Sequence, residues 1–173
     1  MRFRDKVVIV SGGGSIGPSL SNGRASAIQF AREGAKVVVV DRRLDSAEET
    51  VQMIREEGGE AIAVEANVLR GPDVQRMVGT TLATYGRSDV LFNNVGAGWG
   101  TDVVNTPEEQ WDMTYDVCVK SVFMVSKHVI PEMRKTGGGV IVNNASIAGM
   151  LHDSIWAYNS AKAAVRHLTK SVA

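Results

Sequence analysis

Short runs of apolar, mostly β-branched residues alternate along this chain with stretches whose apolar positions recur every three or four residues. Lys6–Val10 is the first run. Lys36–Asp41 (KVVVVD) is almost continuously apolar, the pattern of a strand buried on both faces of a parallel sheet. Ala61–Ala66 gives a third, weaker strand, Asp89–Phe92 a fourth and Val140–Asn143 a fifth. Helical spacing predicts a helix over about Gly23–Glu33, closed by Gly34 at the position after its C-cap. A second covers about Asp45–Glu57, with Ala47, Val51 and Ile54 on one face. A third starts near Pro72 and carries Val74, Met77, Val78, Leu82 and Tyr85 inward. Thr106-Pro107-Glu108-Glu109 combines an N-cap, a first-turn proline and a capping-box glutamate, opening a long helix to about Arg134. Ala157–Val172 is the last helix. Five strand–helix alternations with no repeats or linkers predict one α/β domain: a doubly wound, Rossmann-type parallel sheet in three layers, α/β/α.

Composition narrows the partners. The 173 residues hold 19 basic and 19 acidic side chains, so nothing points to nucleic acid or an anionic membrane surface. No apolar run approaches the roughly 20 residues of a membrane span, and the chain enters its first strand without a signal-peptide core. The lone cysteine, Cys118, has no internal partner, which fits a reducing, cytoplasmic setting. His128, His152 and His167 lack metal-ligand spacing, so no metal is expected.

The candidate chemistry lies where the strands end. Ligands of such sheets sit beyond the carboxyl ends of the strands, and Gly12–Gly17 directly follows the first. Glycines there let the backbone approach a pyrophosphate, whose charge the next helix N-terminus attracts. Asp41, ending the second strand, can accept bonds from both hydroxyls of an adenosine ribose and repels a 2′-phosphate. Arg42 and Arg43 beside it could instead accommodate that phosphate, so NAD is favoured and NADP stays open. Tyr158 and Lys162 lie four residues apart on one helical face, and the ammonium can stabilise a phenolate. Ser146, twelve residues upstream, could donate to a carbonyl oxygen while Tyr158 moves a proton.

Together the glycine loop, Asp41, Asn94-Val95-Gly96, Ser146-Ile147-Ala148-Gly149 and Tyr158-x-x-x-Lys162 resemble the short-chain dehydrogenase/reductase family over almost the whole chain. The resemblance implies an oxidoreductase interconverting a secondary alcohol and a ketone, with Ser146 polarising the substrate and Tyr158 as general acid/base. Lys162 would tune Tyr158 and hold the nicotinamide ribose. Gly12, Gly14, Ile16, Gly17, Asp41, Arg42 and, with Lys162, Tyr158 would bind the cofactor. Asn67 and Val68 would flank the adenine, with Asn94 and Gly96 nearer the ribose.

Four departures from the family pattern stand out. The loop lacks one glycine, and Pro18-Ser19-Leu20-Ser21-Asn22 delays the helix by about five residues. A tight turn with a bulge, and a cofactor site of altered geometry, are expected. Asn67 replaces an aspartate, and Val95 an alanine. Cys118 stands where the family has an asparagine that holds a water in a proton relay. A thiol is a weak donor and acceptor, so the relay should be impaired and Cys118→Asn should raise turnover.

The resemblance further implies two later strands, a substrate-covering segment and another helix, so the chain is expected to be a C-terminally truncated member. An inactive dinucleotide-binding remnant or interaction module is the alternative. Family members pair through two long helices, here Thr106–Arg134 and Ala157–Val172, as dimers or tetramers. The face of Trp111, Tyr115, Val122, Val129 and Met133 suits either that pairing or packing on the sheet. His152, Met150, Leu151 and Trp156 would border the substrate, with the last three forming an apolar wall. The choice of alcohol or ketone in such a fold lies in its loops.

Overall fold

The computed structural model describes residues 1–17, 19–151 and 155–172. Pro18 and His152, on which expectations were placed, lie outside the described residues. The chain forms two compact units, Met1–Asn94 with Met124–Val142, and Val95–Phe123 with Asn143–Ala173.

The first unit is built on a five-stranded sheet: β1 (Val7–Ser11), β2 (Lys36–Asp41), β3 (Glu60–Glu65), β4 (Val90–Asn93) and β5 (Val140–Asn143), in the order β3-β2-β1-β4-β5. β1 pairs in parallel with β2 (Val8 opposite Val37) and with β4 (Val8 opposite Val90), and β2 in parallel with β3. The chain crosses from β3 to the far side of β1, so strand order reverses beside the carboxyl end of β1. The glycine loop leaves the sheet there.

α1 (Asn22–Arg32), α2 (Leu44–Glu56) and α3 (Gly71–Tyr85) connect these strands. Val8, Val10, Val37 and Val39 bury against Ala27, Ile28 and Ala31 of α1 and Ala47, Val51 and Ile54 of α2. Strand side chains alternate in direction, so the equally buried Ile9, Val38 and Val40 face the opposite side, where α3 packs on β2 and β3. Each such valine or isoleucine contributes about 1.5–3 kcal/mol by leaving water. Phe30, between Phe3 (5.1 Å) and Phe92 (6.3 Å), closes one end of this core with edge-on ring contacts. Gly34 closes α1 as the sequence predicts, at φ 91°, with its N–H donating to Ala31 O. β5 is an edge strand on which Val140 and Val142 remain 58% and 42% exposed.

The long predicted helix is realised as α4 (Glu108–Tyr115), a π-helical turn (Asp116–Lys120) and α5 (Ser121–Lys135) in direct succession. Its start differs from expectation. Pro107, not Thr106, is the N-cap residue and makes no side-chain cap bond. Thr106 Oγ1 instead donates to Asp102 O and accepts from Thr101 N and Trp156 Nε1, so it staples the preceding loop. The face of this helix packs within the protomer: Val129 and Met133 are buried in the first unit, while in the second Trp111 stacks on Tyr115 (4.6 Å) and Trp156 (4.7 Å). The second unit is completed by a 3-10 turn (Ile147–Gly149) and α6 (Trp156–Ser171).

Candidate active site

In the first unit, β1 ends at Ser11 and Gly12 turns the chain at φ 68°, a conformation that favours glycine. Asn94, just past β4, donates from Nδ2 to Gly12 O (2.9 Å), tying two strand ends together at the loop. Gly13 N–H continues the ladder to Val40 O, and Gly14 N–H donates to Asp41 Oδ2 (3.1 Å). A Cβ on Gly14 would fall 2.7 Å from that carboxylate oxygen. Asp41 is therefore tied to the loop itself, its carboxylate held by the Gly14 and Arg43 amides.

The delayed helix start has its own local order. Ser15 Oγ donates to Ser19 O, and Ser19 Oγ lies 3.2 Å from Ile16 O. Ser21 caps α1 by accepting from Arg24 N–H while its hydroxyl donates to Gly14 O (2.8 Å). Gly17 is again at positive φ, and the Ile16 side chain is 86% exposed.

Of the two arginines after Asp41, the second is paired. Arg43 forks onto Asp45 (3.2 and 3.0 Å), and its backbone N–H donates to Asp41 Oδ1. Arg42 is exposed. Asn67 is exposed and uses its Oδ1 to accept from Leu69 N–H in a turn after β3, which leaves its amide NH2 as the donor end; Val68 is buried.

In the second unit the residues expected to carry the chemistry lie around α6. Lys162 is only 2% exposed. Its ammonium donates to Asn144 O (2.8 Å) and lies 5.5 Å from the centre of the Tyr158 ring. Burial pushes the Lys162 ammonium below the ordinary lysine range. Burial also pushes the Cys118 thiol up, against the pull of the Lys162 charge, so the thiol stays protonated. Cys118 occupies the π-helical turn and donates from Sγ to Ala97 O (3.2 Å); a Cβ on Gly96 would lie within 4 Å of both Cys118 Sγ and Lys162 Nζ, so the thiol and the ammonium share one neighbourhood.

Ser146 Oγ accepts from Ala148 N–H (3.1 Å), capping the 3-10 turn. That bond uses a lone pair and leaves the hydroxyl proton to donate, so local capping and substrate polarisation are compatible. The close approach of these elements depends on Gly98, which the sequence marked only as loop, and on Gly96, which it marked only for the cofactor. A Cβ on Gly98 would lie 2.7 Å from Tyr158 Cβ, and one on Gly96 2.8 Å from Lys162 Nζ. Asn144, Gly98 and, in the first unit, Ser46 and Thr50 were missed. Only the G-x-G-x-G spacing of Gly96–Gly100 signalled any of them.

A charged amine with one hydrogen bond costs the fold stability. The folded state disfavours the ammonium, so it binds fewer protons than the unfolded chain below the ordinary lysine value of 10.5. Stability attributable to Lys162 therefore rises with pH between its depressed value and that one. Lys162→Met should melt higher than the parent near neutral pH and lose this slope, while losing activity. Melting curves from pH 7 to 10 test it; equal melting temperatures and slopes would refute the assignment.

Residues 6–173 match the sequence model described as short chain dehydrogenase. An uncharacterized oxidoreductase of Thermotoga maritima is 39% identical over 174 residues, covering 100% of this chain and 66% of the relative. The cyclohexanol dehydrogenase of an Acinetobacter species is 35% identical, covering 99% of this chain and 67% of the relative. Among solved structures, 7 alpha-hydroxysteroid dehydrogenase complexed with NADH and 7-oxo glycochenodeoxycholic acid superposes with a TM-score of 0.88 at 34% identity. That match covers 96% of this chain and 64% of the other. The chain thus spans about two thirds of the length of these relatives.

Proposed function

The chain belongs to the short-chain dehydrogenase family, and from that premise we propose that it serves an NAD-dependent interconversion of a secondary alcohol and a ketone. The observation that carries this reading is the pairing of a buried lysine with Tyr158 on α6, in the same unit as a serine whose hydroxyl proton is available. Ser146 donates to the substrate oxygen and fixes its position. In the reducing direction Tyr158 gives its phenolic proton to that oxygen, and in the oxidising direction it takes the alcohol proton. The Lys162 ammonium, 5.5 Å from the centre of that ring, favours negative charge on the phenolic oxygen during the transfer. A bound nicotinamide supplies or accepts the hydride.

The glycine cradle at Gly12–Gly14, Asp41 and the amide NH2 of Asn67 suit the adenosine half of such a cofactor. Asp41 disfavours a 2′-phosphate, and of the two arginines that could receive one Arg43 is forked onto Asp45 while Arg42 is exposed; the Asp41 carboxylate supports NAD over NADP. Ile147, Met150 and Leu151 follow Ser146 directly and are exposed apolar side chains. With alicyclic alcohols in the names of two relatives, they support a substrate with an alicyclic alcohol or ketone. A free, buried cysteine suits the cytoplasm.

A second reading, dinucleotide binding without turnover, is supported by the neutral thiol of Cys118 in place of an amide. The test is formation of NADH from NAD+ with cyclohexanol and cyclopentanol. Turnover, raised severalfold in Cys118→Asn, is expected. NADH binding without turnover in either form would favour the second reading, and neither binding nor turnover would sink both.

A further inference from the structure

The glycine loop is held from behind by the second helix. We propose that Ser46 and Thr50 of α2 are positioning residues that set the loop's shape and thereby the affinity for a dinucleotide's pyrophosphate; this rests on the dinucleotide-binding reading above. Both side chains are fully buried. Ser46 Oγ accepts from Ser15 N–H and donates to Ser15 O, each at 2.7 Å, so one hydroxyl satisfies both backbone groups of a loop residue. Thr50 Oγ1 donates to Gly13 O (3.0 Å) and accepts from Arg24 Nε (3.0 Å). Arg24 is itself buried between α1 and α2, with Nη2 on Glu49 Oε2 (2.7 Å) and Ser46 O (3.4 Å). The network links α1, α2 and the loop through four side chains, none of them on the strands.

Three successive glycines, Gly12 to Gly14, have the largest backbone freedom to lose, so an unbraced loop would present its amides in many orientations. The brace removes that freedom before any ligand arrives. It also gives direction. A trans peptide is planar, with its carbonyl and the next N–H pointing opposite ways. Holding Gly13 O on Thr50 turns Gly14 N–H away from Thr50, and it meets Asp41. Holding Ser15 O on Ser46 likewise turns the Ile16 N–H away from Ser46, at a residue whose side chain is 86% exposed. An anion above the loop therefore meets a preset donor, at no further ordering cost.

The test is calorimetric titration of the full chain with NADH, together with Thr50→Val, Thr50→Ser and Ser46→Ala. Thr50→Val and Ser46→Ala should raise the NADH Kd about tenfold or more while binding stays near one site per chain. Thr50→Ser, which restores the hydroxyl, should stay within about threefold of the parent. A merely structural role would lower melting temperature and the number of sites while the remaining folded chain kept the parent Kd, and that outcome overturns the proposal. Hydrogen exchange on the unliganded parent protects the test against a variant that fails to fold. The Ser15 amide should be strongly protected, and exchange at the open-loop rate overturns the brace. Absence of NADH binding to the parent overturns the dinucleotide reading and the proposal together. Parent binding with unchanged variants overturns the brace alone.

Discussion

Tyr158→Phe should lower turnover with an alicyclic alcohol or ketone by about 10²–10⁴-fold, the range typical for removing a general acid/base, while NADH affinity changes little. Phenylalanine keeps the ring that lies 5.5 Å from the Lys162 ammonium and the Cβ that packs close to Gly98. Only the proton-carrying hydroxyl is lost. The expected signature is therefore a fall in kcat with the melting temperature held, and steady-state kinetics beside NADH titration measures it. A variant that retains parental turnover would remove Tyr158 from the chemistry. The Lys162 assignment rests on the same logic, since its burial is costly and no packing role requires an ammonium there.

Gly23→Ala should abolish NADH binding and destabilise the fold by several kcal/mol, the range reached when a substitution forces the backbone to move. An added Cβ would lie 1.8 Å from Gly12 O and 2.6 Å from Asn94 Nδ2. Those two atoms are bonded to each other at 2.9 Å, so neither can retreat without opening the loop at the end of β1. Gly79→Ala is the matched control. It lies inside α3 with nothing within 4 Å of the new methyl, and alanine there should add about 0.5–1 kcal/mol of stability. Thermal melts and NADH titrations of both variants distinguish a site-specific clash from a general intolerance of substituted glycines. Equal behaviour of the two would show that α1 does not need its close approach to the loop.

Much of the architecture was legible because it depends on neighbours in sequence. Lys36–Asp41 announces a strand buried on both faces, and the structure makes it β2, with valines on one side against α1 and α2 and on the other toward α3. Helices were placed to within a few residues from 3.6-residue periodicity, and Gly34 ends α1 where left-handed backbone is needed. Thr106 failed as a cap. A threonine before a proline is an equally good loop staple, and which role it takes depends on Trp156, fifty positions away. The 106–134 helix was read as unbroken because a π-turn leaves apolar periodicity nearly intact; the one-residue excess shows only in hydrogen bonding.

By itself the sequence determined the five-stranded α/β fold, the family and the identity of Ser146, Tyr158, Lys162 and Asp41 as candidate groups. Each of these follows from local pattern or from spacing along the chain. The tertiary structure alone decided that Cys118 lies beside Lys162 with its thiol on Ala97 O. It alone decided that Gly98 makes room for Tyr158, and that Ser46 and Thr50 of α2 hold the glycine loop. These contacts join residues 20 to 60 positions apart. Where a side chain points, and what meets it there, is set by the packing of whole elements and not by the residues on either side.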